Sequence, residues 1–279
     1  MSPTLWTALI TPFRNGEIDL KTLDALLARQ VANGVLLLGT TGEGLSLTHQ
    51  ERKTIVLHAL KAQPQMPFMV AATDMLFAPL LEWVSFCNDL PIKALLMCVP
   101  PYTKPGPCGQ YDWFARLLDR TNHPVMLYNN PGRTGGPLYE ETLARLQHHP
   151  RLWSFKDCSG SVDQFKAYRQ AAPNLSFASG DDNMLALLAP LGAQCLVSVA
   201  GNIWPRAMQT FVTQSLQGTA PDLTLVWEAF VGASNPIPTK AFLQALGIIP
   251  SGELRPPLSL QDFHNLGALE QAHQRMESL

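Results

Sequence analysis

Eight times before Gly218 the chain places a short apolar run and then a stretch whose apolar residues recur at helical spacing, one unit about every 25 residues. The runs begin at Leu5, Val35, Phe68, Ile92, Val125, Leu152, Leu175 and Cys195. Asp19 caps the first helix, whose Leu23, Leu26, Leu27 and Val31 share a face before Gly34 ends it. Thr48 opens the second, with Gln50 and Glu51 in its first turn. The others are read at about Ala78–Asn88, Tyr111–Arg120, Tyr139–Gln147, Val162–Ala171, Met184–Leu191 and Pro205–Leu216. A continuous apolar run is a strand buried on both faces, and parallel neighbours need a crossover that a helix supplies. The rhythm is that of an α/β chain folded as a (β/α)8 TIM barrel. An open doubly wound sheet is the alternative, but it normally carries a Gly-x-Gly-x-x-Gly turn, and the glycines of Gly39-Thr40-Thr41-Gly42-Glu43-Gly44 are spaced differently.

After Gly218 the pattern turns to helices alone, roughly Leu223–Ala233, Thr239–Leu246 and Ser259–Glu277. Residues 1–218 are therefore read as the barrel carrying the active site, and 219–279 as a C-terminal helical domain. Between the first two of these helices, Asn235-Pro236-Ile237-Pro238-Thr239-Lys240 sets two prolines that favour extended backbone.

The sixth apolar run, Leu152-Trp153-Ser154-Phe155, leads into Lys156. Alternation puts Leu152, Ser154 and Lys156 on one face and Trp153, Phe155 and Asp157 on the other. Such a lysine either snorkels to water past the strand end or sits inside the sheet. In the second case desolvation disfavours the ammonium and supplies the neutral amine that attacks a ketone to form a Schiff base.

Composition narrows the setting. A formal charge of −2 with no basic cluster argues against nucleic acid as a partner. No stretch is apolar for the ~20 residues a membrane span needs, and the N-terminus shows no cationic segment leading into an apolar one, so a cytoplasmic location is expected. The five cysteines, Cys87, Cys98, Cys108, Cys158 and Cys195, show no metal spacing and are expected reduced and mostly buried.

In a barrel of this kind, chemistry is placed just after each strand. Strand two ends in Gly39-Thr40-Thr41-Gly42-Glu43, strand four in Pro100-Pro101-Tyr102, and strand five in Tyr128-Asn129-Asn130-Pro131-Gly132-Arg133-Thr134-Gly135. Strand six ends at Lys156-Asp157-Cys158-Ser159-Gly160 and strand seven at Ser179-Gly180-Asp181-Asp182. With Asn235 to Lys240 these segments make the chain resemble the dihydrodipicolinate synthase/N-acetylneuraminate lyase family over essentially its whole length.

The resemblance implies that Lys156 condenses with the keto carbon of pyruvate and that Tyr128 moves protons. Thr40 and Tyr102 would complete a hydroxyl relay. It places the pyruvate carboxylate at Thr41 and its backbone N–H, and a backbone contact at Val197; Gly180 would let another backbone approach the ligand. Tyrosine suits proton transfer if its surroundings ease ionisation, which the hydroxyl chain and the lysine are expected to do. Glu43 is read as a turn-capping carboxylate. Arg133 can bind a second carboxylate through two hydrogen bonds, which favours aspartate semialdehyde as the acceptor. An aldolase cleaving a keto-deoxy sugar acid, and a barrel that only binds a metabolite, remain open at this point. The resemblance also implies a homodimer or homotetramer, with Tyr102 donated across the interface. No metal, nucleotide or other cofactor is expected, since the lysine carries the imine itself. Where lysine-inhibited relatives hold their effector, this chain has Leu76, Leu80 and Pro101, so insensitivity to lysine is expected.

Overall fold

The computed structural model describes residues 4–30 and 34–279. Its parallel strands are β1 (Leu5–Ala8), β2 (Gly34–Leu37), β3 (Phe68–Ala71), β4 (Ala94–Cys98), β5 (Val125–Asn129), β6 (Leu152–Asp157), β7 (Ser176–Ser179) and β8 (Ala193–Ser198). They form a closed barrel in the order β1-β8-β7-β6-β5-β4-β3-β2, with helices between successive strands. The (β/α)8 reading holds. The chain divides into two compact units, residues 1–67 with 197–279, and residues 68–196.

In the first unit, β1 pairs with β2 in the register Trp6↔Gly34, Thr7↔Val35 and Ala8↔Leu36. Gly34 opens this strand and does not end a helix. A Cβ there would lie 2.3 Å from the Trp6 ring, so the residue is glycine because an indole lies against it. Helix α1 (Leu20–Arg29) starts where Asp19 accepts from the Thr22 amide at 3.0 Å, as read; Val31 lies outside the described residues. Helix α2 (His49–Ala62) opens on a full capping box between Thr48 and Glu51. Asn202 accepts from the Ile10 amide at 3.0 Å and donates to the Ala8 carbonyl at 2.8 Å, which satisfies the backbone at the end of β1.

The second unit holds the remaining whole strands with α3 (Phe77–Asn88), α4 (Pro107–Leu118), α5 (Glu140–Leu146), α6 (Val162–Ala171) and α7 (Leu185–Leu188). Helix α4 begins earlier than its apolar pattern suggests because Pro107, which lacks an N–H to satisfy, suits the first turn. The Met184–Leu191 segment is α7 flanked by tight 3-10 turns, not one helix. On β6, Phe155 packs against Tyr168 of α6 at 4.6 Å between ring centres and against Phe177 of β7 at 5.5 Å. Lys156 lies on the opposite face, in register between Tyr128 of β5 and Ala178 of β7.

Back in the first unit come α8 (Pro205–Leu216), α9 (Thr224–Glu228), α10 (Ile237–Ala245) and α11 (Leu266–Glu277). Helix α9 is shorter than its pattern, and residues 260–262 are a separate 3-10 turn ahead of α11. Pro238 sits in the first turn of α10 and does not hold the chain extended, because a first-turn proline forfeits no hydrogen bond. The Trp204 ring gathers Phe230, Phe242 and His273 within 6.3 Å between ring centres. Among the described residues no helix is long and apolar enough to cross a membrane.

Candidate active site

The lysine of β6 is buried, with 6% of its surface exposed, so snorkelling is ruled out. Its Nζ lies 4.0 Å from the centre of the Tyr128 ring, and no carboxylate lies within salt-bridge distance of it among the described residues. Asp157, next in sequence, points away into a network of its own. It accepts from the Asn129 amide at 2.8 Å, the Ser159 N–H at 3.1 Å and the Ser159 hydroxyl at 2.7 Å. Asp181 sits close enough to feel the lysine's charge, but burial outweighs that attraction and pushes its carboxyl above the ordinary range.

Gly180 lies against the stem of the lysine. A Cβ at this position would fall 2.1 Å from the Cys158 Sγ and 2.3 Å from the Lys156 Cε. Burial pushes the Cys158 thiol up, while the lysine's charge pulls it the other way. Cys195 is pushed up to about 12 by the same cause. All five cysteines are free thiols; Cys87 and Cys195 are buried, Cys98 and Cys158 half-buried, and Cys108 is exposed. The expectation of mostly buried thiols holds for two of them.

Tyr128 carries its own orienting group. Asn130 accepts from the Arg133 N–H at 3.1 Å, which fixes the amide so that its Nδ2 donates to the Tyr128 oxygen at 2.7 Å. With a lone pair occupied by Asn130, the phenol's own proton is turned toward the Cys158 sulfur. Burial raises its pKa well above the usual value, and the Asn130 bond only partly offsets this. Ionisation is therefore harder, not easier, and Tyr128 is a phenol that holds its proton. Arg133 itself is exposed, on a single helical turn, Pro131–Thr134, closed by Gly135 at φ 77°. Tyr102 is 83% exposed and held at φ 72°, a backbone conformation that bulky residues rarely adopt.

In the other unit, Thr41 is buried and its hydroxyl accepts from Asn235 Nδ2 at 2.9 Å, leaving its own proton to donate. The turn is closed by the Glu43 and Gly44 amides bonding to the Thr40 and Gly39 carbonyls at 3.1 and 3.2 Å. The Thr41 N–H has no acceptor among the described residues. Thr40 is half-buried beside it, and Val197 is wholly buried on β8. Glu43 makes no capping bond to the turn that follows it. Its carboxylate accepts instead from Lys240 Nζ at 2.5 Å and from the Arg255 N–H at 2.8 Å.

A family model, that of the dihydrodipicolinate synthetase family, matches residues 1–274. The chain belongs to that family. It is similar to a 4-hydroxy-tetrahydrodipicolinate synthase of Wolbachia pipientis wMel, 43% identical and covering 98% of this chain and 95% of the relative. Among solved structures it resembles the 4-hydroxy-tetrahydrodipicolinate synthase of Methylacidiphilum fumariolicum SolV, at a TM-score of 0.93 and 28% identity, covering 100% of this chain and 97% of that one. The chloride-inhibited dihydrodipicolinate synthase of Acinetobacter baumannii, solved with pyruvate, is 27% identical at a TM-score of 0.92, with both chains covered in full.

Three residues escaped sequence reasoning. Asn130 lay inside a motif already quoted, and its value as a link between Arg133 and Tyr128 needs the turn's geometry. Asn235 and Lys240 stood in the Asn-Pro-Ile-Pro-Thr-Lys segment, where the only available signal was a lysine amid the apolar residues of a helix.

Proposed function

We propose that this member of the dihydrodipicolinate synthetase family condenses pyruvate with L-aspartate 4-semialdehyde to give 4-hydroxy-tetrahydrodipicolinate, for lysine and diaminopimelate synthesis. The observation that carries the reading is a buried amine with no ion-pair partner among the described residues, over the ring of a phenol oriented by Asn130. Lys156 attacks the keto carbon. Tyr128 donates the proton that lets the carbinolamine oxygen leave as water, forming the imine. The Tyr128 phenolate so formed takes a proton from the methyl carbon to give an enamine, which attacks the aldehyde, and the same proton then goes to the aldehyde oxygen. The acceptor's own amine adds to the imine carbon and displaces Lys156, which closes the ring and frees the enzyme.

Thr41, whose N–H has no acceptor among the described residues and whose hydroxyl accepts from Asn235 and keeps its proton to donate, is assigned the pyruvate carboxylate. Gly180 and Val197 complete the pyruvate contacts, and Arg133 takes the acceptor's carboxylate. Thr40 and Tyr102 extend the relay from Tyr128. A tyrosine 83% exposed on a left-handed backbone suits a side chain that completes a neighbouring subunit, so the enzyme is assigned a homodimer or homotetramer in the cytoplasm. With Leu76 and Leu80 in place of polar effector contacts, millimolar lysine is expected to leave the rate unchanged; cooperative inhibition in a lysine titration would remove this assignment.

Borohydride reduction in the presence of pyruvate tests the reading. One reduced pyruvate per chain, located on Lys156 by peptide mapping, is expected. Labelling that persists in Lys156→Ala, or rapid cleavage of a keto-deoxy sugar acid with no turnover of aspartate semialdehyde, would overturn it.

A further inference from the structure

The proposed carboxylate site sits in a strained turn. Leu38 at φ 62° and Glu43 at φ 53° bracket residues 39–42, both outside the conformations such side chains prefer. The turn is also crowded, since a Cβ on Gly44 would lie 1.9 Å from the Leu38 carbonyl oxygen. Two adverse residues in so short a span persist only where surrounding contacts enforce them. Thr11 contributes by donating to the Gly42 carbonyl at 2.7 Å.

The stronger contacts come from the C-terminal segment. The side chains of Lys240 and Glu43 are 0% and 1% exposed, and their charged atoms are 2.5 Å apart. Both groups have further partners. Lys240 Nζ also donates to the Glu253 carbonyl at 2.7 Å and lies 4.2 Å from the centre of the Phe13 ring. The second oxygen of Glu43 takes the Arg255 amide at 2.8 Å, and the Arg255 guanidinium reaches Glu51 of α2 at 2.5 Å. From the same segment Asn235 bonds to the Thr41 hydroxyl.

An ion pair so far from water is an inefficient way to stabilise a fold. Removing two charges from solvent offsets much of what their attraction returns, and apolar pairs of similar size often serve at least as well. Burial indeed works against the charged form of Lys240, which falls to about 8 despite Glu43 beside it. What the pair supplies and an apolar pair lacks is direction.

We propose that Lys240 and Glu43 are positioning residues for substrate binding: their buried ion pair, aided by Asn235, holds the strained 38–44 turn so that Thr41 meets the pyruvate carboxylate. This rests on the assignment of Thr41 made above, and it separates from that assignment experimentally.

Lys240→Met alone strands a buried carboxylate, so the decisive variant is Glu43→Gln/Lys240→Met, which removes both charges. It should unfold at the same or higher denaturant concentration than the wild type. The pyruvate concentration that half-saturates borohydride trapping should nevertheless rise about tenfold, the order expected when a charge-assisted hydrogen bond is misaligned. The KM for aspartate semialdehyde should stay within about twofold of wild type. Asn235→Ala, with the ion pair intact, should shift pyruvate saturation in the same direction by a smaller factor.

A double variant that is stable and saturates like the wild type would overturn the proposal. So would one that fails to fold, because the pair would then be structural. Failure of the wild type to trap pyruvate on Lys156 is a different result, and counts against the assigned function itself.

Discussion

Among the described residues two lysines are buried, one in each compact unit, and their surroundings are opposite. Lys240 has a carboxylate at 2.5 Å, a carbonyl at 2.7 Å and an aromatic face at 4.2 Å, with none of its side chain exposed. Lys156 keeps 6% of its surface, has the Tyr128 ring at 4.0 Å, and among the described residues has no carboxylate within salt-bridge distance. Burial alone therefore does not make a nucleophile. Attack needs a nitrogen lone pair with nothing between it and an electrophile, and an amine enclosed by a carboxylate, a carbonyl and an aromatic ring with none of its side chain exposed leaves no room for one. Asp157 is kept from Lys156 by three hydrogen bonds of its own, and the attraction of Asp181 to the lysine is outweighed by the burial that pushes its carboxyl up.

The largest test of this contrast is Lys156→Ala, which should lower turnover by more than about a thousandfold while Lys240 takes up no label with pyruvate and borohydride. Label on Lys240 would break the comparison. Tyr128→Phe should leave the fold intact and reduce kcat by about 10²–10⁴-fold, the range for losing a general acid; an unchanged kcat would place proton donation elsewhere. Arg133→Ala should leave pyruvate trapping as it is and raise the KM for aspartate semialdehyde about tenfold or more, since pairs of this kind are worth ~1.5–3 kcal/mol.

The smallest effect concerns stability and pH. Lys240 titrates near 8 in the folded chain, against 10.5 as its ordinary value. Between those limits the unfolded chain binds more protons than the folded one, so this group adds stability as pH rises through the window. The penalty it imposes is fully present below pH 8. Urea unfolding at several pH values should show this increment in the wild type and not in Glu43→Gln/Lys240→Met.

The barrel was legible because each strand is buried on both faces and so reads as an unbroken apolar run. Strand-end positions followed from the fold, and Lys156, Tyr128 and Gly180 do gather around one amine. Other features depend on partners that no local pattern reveals. Gly34 resembled a helix terminator until the Trp6 ring lay over it. The hairpin of Phe13–Arg14 with Glu17–Ile18 has strands too short to show a period. Glu43 looked like a cap because its neighbours in sequence invite one, whereas its true partner lies 197 residues away.

Gly180 sets a limit on how this protein can vary. The Cys158 thiol and the Lys156 stem both occupy the space a methyl group would need there. Trimming Cys158 to alanine would clear one obstruction and leave the other, since the Lys156 Cε alone stands 2.3 Å from the missing Cβ. Any side chain at position 180 must therefore push the lysine stem aside and move the amine with it. Changes of specificity that leave the amine in place have to be sought on the acceptor side, around the exposed turn that carries Arg133.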